Sequence, residues 1–344
     1  MSTNGVVDLR SDTVTKPSAG MRKAMAESVV GDDILDGDPT TRKLEETVAA
    51  LCGTDSALFF PSGTQANQTA IWLHSQRGTE LILEAEAHLV HYEKAGVAGL
   101  AGVQIRPVAT PDGVLTAESI KPMLRHGDHE PEVSAIAVEN THNRAGGKVM
   151  PLEMWDELIA FSGELGLPVH LDGARLWNAA AAIGEPPARV ARGAASVSVC
   201  FSKGLGCPVG SCLAGDAATI NRAKSVRRRF GGAMRQSGIL AAAGLYALEH
   251  NLPGLVDDHA NAKLFAQRLV DHPKLQPTIP DTNIIMLDLM EQGLTAEVAV
   301  AKLAEAGVLL VPFGPTRLRA VTHLDVSEDQ VRHAAEVVAE VLGE

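Results

Sequence analysis

The stretch SVSVCFSKGLGCPVGS, residues 196–211, holds the first group able to do covalent chemistry. An apolar, β-branched run delivers Lys203 into a segment containing Gly204, Gly206, Pro208 and Gly210. A primary amine placed by so tight a backbone is a candidate nucleophile toward a carbonyl. Alone, such a lysine is more often an exposed charge, so its company has to decide. VHLDGAR sets Asp172 at the end of another apolar run, and PSGTQAN (61–67) ends a third at Pro61. A helix opening at Thr64 would leave N–H groups free at Gly63 and Thr64, a ready site for phosphate.

These three groups need a scaffold that gathers strand ends. From about residue 55 short apolar, β-branched segments alternate with helical patterns, the mark of βαβ units and a mainly parallel sheet. SALFF (56–60), TELILE (79–84), VQIRPV (103–108), SAIAVEN (134–140), PVHLD (168–172), SVSVCF (196–201) and GSCLAG (210–215) read as strands. Helices are expected over 64–76 and 151–166, the latter with Pro151 in its first turn and Gly166 as its stop. After a helical region at 233–271 the pattern changes: IPDTNIIMLDL (279–289), a helix at 295–306, VLLVPF (308–313) and RLRAVTH (317–323) form a smaller α+β unit. Ser327 and Gln330 make a capping box for the last helix. The division expected is a large domain over 1–250 and a small C-terminal one over 251–344.

In open α/β sheets ligands sit beyond the carboxyl ends of the strands. A lysine, a carboxylate and a phosphate cradle on neighbouring strand ends match the needs of pyridoxal 5'-phosphate (PLP). The amine takes the aldehyde as a Schiff base, and the carboxylate keeps the pyridine nitrogen protonated. Each element also has a plain reading, as a surface lysine, a helix-capping aspartate and an ordinary N-cap. Competing phosphate motifs fail: GLGCPVG is not GxGxxG, and no GxxxxGK[ST] occurs.

At LRSDTVTKP (9–17), FPSGTQANQ (60–68), ENTHNRAGGKVMP (139–151), HLDGARLWNA (170–179), CFSKGLGCPVGS (200–211), GGAMRQSGILAAAG (231–244) and RAVTHLD (319–325), the chain resembles the L-threonine aldolases, PLP enzymes of fold type I. The resemblance runs nearly end to end. It implies Lys203 as the Schiff-base lysine, Asp172 as the pyridine partner, and Gly63 with Thr64 as the phosphate site. It places Arg175 beside the ring, Ser202 near the cofactor, and Arg235 at the phosphate of a neighbouring subunit, so that dimers share active sites, with a tetramer expected. Arg319 and Ser11 would hold the substrate carboxylate. His88 would stack on the ring, and His129 would lie near the substrate hydroxyl. The reaction implied is cleavage of β-hydroxy-α-amino acids to glycine and an aldehyde. A β-eliminating lyase or an aminotransferase would share the same groups, and a non-catalytic α/β binding protein is the alternative outside catalysis. The chain departs from the family at Ile34 and Leu35, where a Val-Tyr pair is common, and at Ala233, Phe201 and Cys207, so its side-chain preference is open.

Bulk properties narrow the classes. A formal charge of -12 over 344 residues argues against nucleic acid or an anionic membrane as partner. The basic run at 222–230 reads as a solvated helix face. No apolar run spans a membrane, the N-terminus lacks a secretory pattern, and four cysteines show neither CxxC nor framework spacing. A soluble, cytoplasmic protein without a metal site is expected.

Overall fold

The computed structural model describes residues 5–124 and 127–343. The chain opens with a two-residue strand, β1 (Val7–Asp8), and then builds the large sheet from β2 (Ser56–Phe60), β3 (Glu80–Glu84), β4 (Gln104–Val108), β5 (Val133–Glu139), β6 (Val169–Gly173), β7 (Ser196–Cys200) and β8 (Ser211–Gly215). Their order is β2-β8-β7-β6-β5-β3-β4. Five neighbours from β7 to β4 run parallel, and β8 alone runs against both of its partners. The seven strands are those expected from the sequence, within a residue or two. β3, β6, β7 and β8 are buried along their whole length, as helices on both faces of a parallel sheet require.

Local chemistry fixes the helix that meets the site. Ser62 accepts a hydrogen bond from the N–H of Gln65 at 3.2 Å and caps helix Gly63–His74. Two expectations change in detail. Pro151 is the cap of helix Leu152–Leu165 and not a residue of its first turn, since its ψ of 137° is extended; Gly166 ends the helix at φ 67°. Within helix Ala217–Arg229 the basic run is only partly solvated. Arg227 is buried, donating to Phe59 O at 2.6 Å and pairing with Asp33 at 2.8 Å.

The C-terminal unit centres on β10 (Ile284–Leu289), which pairs antiparallel with β9 (Leu275–Pro277) and with β13 (Arg317–Val321). VLLVPF divides between β11 (Val308–Leu309) and β12 (Val311–Pro312), which belong to different sheets. β12 joins β13, while β11 pairs in parallel with the N-terminal β1. Val7 and Leu9 consequently lie in the C-terminal core, with Phe265, Leu303 and Val338. The capping box forms as expected, Ser327 N to Gln330 Oε1 at 2.9 Å and Gln330 N to Ser327 Oγ at 3.3 Å. Among the described residues no helix is long and apolar enough to cross a membrane.

Candidate active site

Lys203 stands three residues beyond β7, half-buried at the rim of a cavity of about 210 Å³. Its loop is held from two sides. Gly206, at φ 75°, takes the left-handed conformation that the turn needs, and Thr15 Oγ1 donates to Lys203 O at 2.9 Å. Ser11, His88, Asp172, Arg175 and Arg319 line the same cavity. Five segments distant in sequence thus deliver side chains to one place.

Asp172, near the end of β6, is buried. Its Oδ1 accepts from Ala174 N at 3.1 Å and its Oδ2 from Asn67 Nδ2 at 2.8 Å. Burial works against the charge, but the positive fields of His88 and Lys203 outweigh it and hold the carboxyl below its ordinary value. His88 opens the short helix His88–His91, and its Nδ1 lies 2.9 Å from Glu93 Oε1. Burial pulls this imidazole down, but the bond to Glu93 and the charge of Asp172 raise its pKa above the usual histidine value. With Nδ1 turned to Glu93, Nε2 is the nitrogen left for other partners.

Arg175 makes a buried, forked ion pair with Asp12, Nε and Nη2 each 2.8 Å from a carboxylate oxygen. Arg319 donates to Asn143 Oδ1 at 3.0 Å and to Arg10 O at 3.2 Å. Its Nε is buried with no partner, and burial together with the nearby Arg175 lowers its pKa to about 10. As a guanidinium lining the cavity, Arg319 is suited to a carboxylate. Asn143 is itself fixed by Glu139, whose second oxygen accepts from His88 N at 2.6 Å.

The remaining expected residues are distributed differently. Gly63 and Thr64 open their helix as expected, and Ser62 and Thr64 line a second cavity, of about 350 Å³, with Gln65, Gln68 and Arg229. Gln68 ties that cavity to the first, donating to Glu93 Oε2 at 2.6 Å. Ser202 is half-buried, its Oγ 3.3 Å from Cys200 Sγ, and does not line the lysine cavity. Arg235 projects from the surface and meets Asp32 at 3.2 Å. His129 is exposed on the loop before β5 and lies outside the cavity lining. Ile34 and Leu35 are exposed as well. The fold also brings donor atoms of His88, Glu93 and Asp172 within 4.8 Å of one another, where they are engaged with one another's hydrogen-bond partners.

Asp12, Asn67, Glu93, Glu139 and Asn143 were not singled out from the sequence. Asp12 sits inside LRSDT and Asn67 inside PSGTQAN, motifs noticed for other residues. Glu139 and Asn143 lie inside ENTHNRAGGKVMP, and Glu93, between Tyr92 and Lys94, carries no local signal.

With this geometry in hand, comparisons with known proteins agree on one group. The beta-eliminating lyase family model matches residues 8–292. A probable low-specificity L-threonine aldolase of Arabidopsis thaliana is 41% identical over 335 residues, 95% of this chain and 94% of its own. The low specificity L-threonine aldolase of Escherichia coli K12 is 40% identical over 332 residues, 96% of this chain and 97% of its own. A crystal structure of a putative L-allo-threonine aldolase from Listeria monocytogenes superposes with a TM-score of 0.82 at 23% identity, covering 98% and 95% of the two chains. The last likeness carries the fold, and the sequence matches carry the kinship: the chain belongs to the beta-eliminating lyase family, among the L-threonine aldolases.

Proposed function

We propose that the protein is a carbon–carbon lyase that uses PLP to cleave L-threonine, L-allo-threonine and related β-hydroxy-α-amino acids reversibly to glycine and an aldehyde. The observation that carries this reading is the cavity itself, which Lys203, Asp172 and Arg319 line together. These residues fit PLP: an amine for its aldehyde, an ionised carboxylate for its ring nitrogen, and a helix start at Gly63 and Thr64 for its phosphate. When bound, PLP supplies an electron-accepting ring that stabilises the charge left at Cα as the Cα–Cβ bond breaks.

The chain's own residues do the rest. Lys203 Nζ would hold PLP through its aldehyde. Asp172 would pair with the ring nitrogen of PLP, and Arg175, locked by Asp12, would supply a fixed cation to the bound group. Arg319 and Ser11 would grip the substrate carboxylate and so fix the orientation of the amino acid. His88 Nε2 takes the proton of the β-hydroxyl; its position in the cavity favours it over the exposed His129. Ser202 Oγ, 3.3 Å from Cys200 Sγ, ties the start of the lysine loop to the end of β7. The exposed Arg235, paired with Asp32, fits a homo-oligomer in which it reaches the phosphate of a neighbouring copy. A cytoplasmic location suits such a metabolic enzyme.

Steady-state cleavage of the four threonine stereoisomers and of phenylserine, with aldehyde detected directly, tests the reading. Aldehyde and glycine should form in equal amounts from the L-forms. Release of a keto acid without aldehyde would assign the site to elimination or transamination instead.

A further inference from the structure

Below the cavity floor lies a buried polar chain that the reaction as described does not use. Its centre is Asn67, two per cent exposed, on helix Gly63–His74. Its amide nitrogen is 2.8 Å from Asp172 Oδ2 and 2.9 Å from Glu93 Oε1. Its oxygen is 2.6 Å from Ser198 Oγ and 3.1 Å from His170 Nε2. Two carboxylates can only accept, so the orientation of the amide is settled: N–H toward the acids, oxygen toward the serine and histidine. Both donors and both lone pairs are then spent.

The chain continues in a way that pins this orientation. His170 must donate from Nε2, which leaves Nδ1 to accept from Ser196 Oγ at 2.9 Å. Ser196 in turn lies 2.8 Å from His74 Nε2. Burial pushes both imidazoles down to about 4, so each is neutral and has the one N–H this pattern needs. The spacing behind the chain is simple. His170 and Asp172 are two apart on β6, and Ser196 and Ser198 are two apart on β7, so each pair faces the same way. The register sets His170 opposite Ser196 and Asp172 opposite Ser198. Asn67 and His74, seven apart, share the helix face that covers them.

We propose, resting on the PLP reading above, that Asn67 is a positioning residue that fixes the side chains of Asp172 and Glu93 in place, one aimed at the cofactor ring and one at His88. Without its two N–H groups the two buried acids would face each other with less compensation, and Asp172 would lose a donor that holds it in place. The charged and titratable groups around the amide are Asp172, Glu93 and His170, with His88 and Lys203 beyond the acids and His74 beyond His170.

The test titrates PLP into the apoprotein, following visible absorption, for the unsubstituted chain, N67D and N67S. N67D keeps the size of the side chain and removes both donors. At a pH of about 8 its dissociation constant for PLP should rise about tenfold or more, the weight of one lost hydrogen bond to a charged group. Toward a pH of about 6 the gap should narrow, because a carboxyl buried between two other acids is raised toward that range, takes up a proton and regains one donor. N67S should weaken binding about tenfold without that narrowing. Thermal midpoints of the apoproteins, read in parallel, report the fold; if N67D does not fold, N67S decides on the same threshold. Binding within about twofold of the unsubstituted chain across this range overturns the inference. If the unsubstituted chain takes up no PLP, the functional reading fails and this inference with it, an outcome distinguishable from the first.

Discussion

Asp12 and Arg175 meet across 163 positions of sequence in a forked ion pair from which water is excluded. The pair joins the N-terminal segment to the loop after β6, and Asn283 Nδ2 reaches the same carboxylate at 3.3 Å from the C-terminal unit. Arg175 and Lys203 together hold the Asp12 carboxyl far below the usual range, against the cost of its burial.

Removing one partner of a buried pair leaves an uncompensated charge, at a cost of about 3–5 kcal/mol. Asp12→Ala should therefore lower the urea midpoint of unfolding clearly and free Arg175 to swing. An unchanged midpoint would mean the pair contributes no net stability.

Lys203→Ala should abolish turnover while leaving a weakly PLP-binding, folded protein. Turnover assays and mass spectrometry after borohydride reduction read this: the unsubstituted chain should gain a reduced PLP adduct at Lys203. An adduct elsewhere would displace that lysine from its assigned place.

Arg319→Ala should raise KM for threonine by about 10–100-fold, as expected for a lost charged hydrogen bond, and should loosen the choice of reaction. Initial-rate kinetics with product analysis decide it. If kcat/KM does not move, another group holds the carboxylate.

The raised pKa of His88 has a readable sign. A base that works neutral gains activity as pH rises through its pKa, so the acidic limb of kcat/KM should lie above the ordinary histidine value. Glu93→Gln removes the anion bonded to Nδ1 and should move that limb about one unit lower. A limb that stays in place would take the proton from a group other than His88.

Asp258 is buried in helix Leu255–Leu269, where burial and then the charge of Asp12 push its pKa up to about 8. An acid raised on folding favours the native state at pH below its unfolded value, near 4, and loses that contribution as pH rises toward 8. Asp258→Asn should therefore raise the thermal midpoint more at a pH of about 8 than at about 5. Equal shifts at both would show that its ionisation is not linked to folding.

Much of this architecture was legible before any coordinates. The seven strands of the large sheet announce themselves because buried parallel strands are short apolar runs between turn residues. Lys203 and Asp172 stand out because they end such runs. What escaped detection are polar groups whose burial exists only after distant elements meet. Glu93 follows a four-residue helix and carries no pattern of its own, and Asp12 is buried by Arg175 and Asn283, each more than 160 positions away. His170, Ser196 and Ser198 did carry a signal: polar residues at alternate positions of strands too apolar to have a wet face. VLLVPF misled because continuous hydrophobicity does not show the chain leaving one sheet for another at Leu310. Arg227 looked solvated because its neighbours are cationic, yet it falls on the face that carries Ile220 and Ala223 inward.

The pairing of β1 with β11 has a consequence for how the protein comes into being. On the ribosome, the first residues to emerge must wait for a partner made some 300 positions later. Until Val308 and Leu309 are synthesised, Asp12 has no settled place from which to clamp Arg175, and Thr15 none from which to brace the lysine turn. Maturation of the catalytic centre is thereby deferred to the end of translation, and a nascent chain cut short before its last quarter would carry every residue of the large sheet and no working centre.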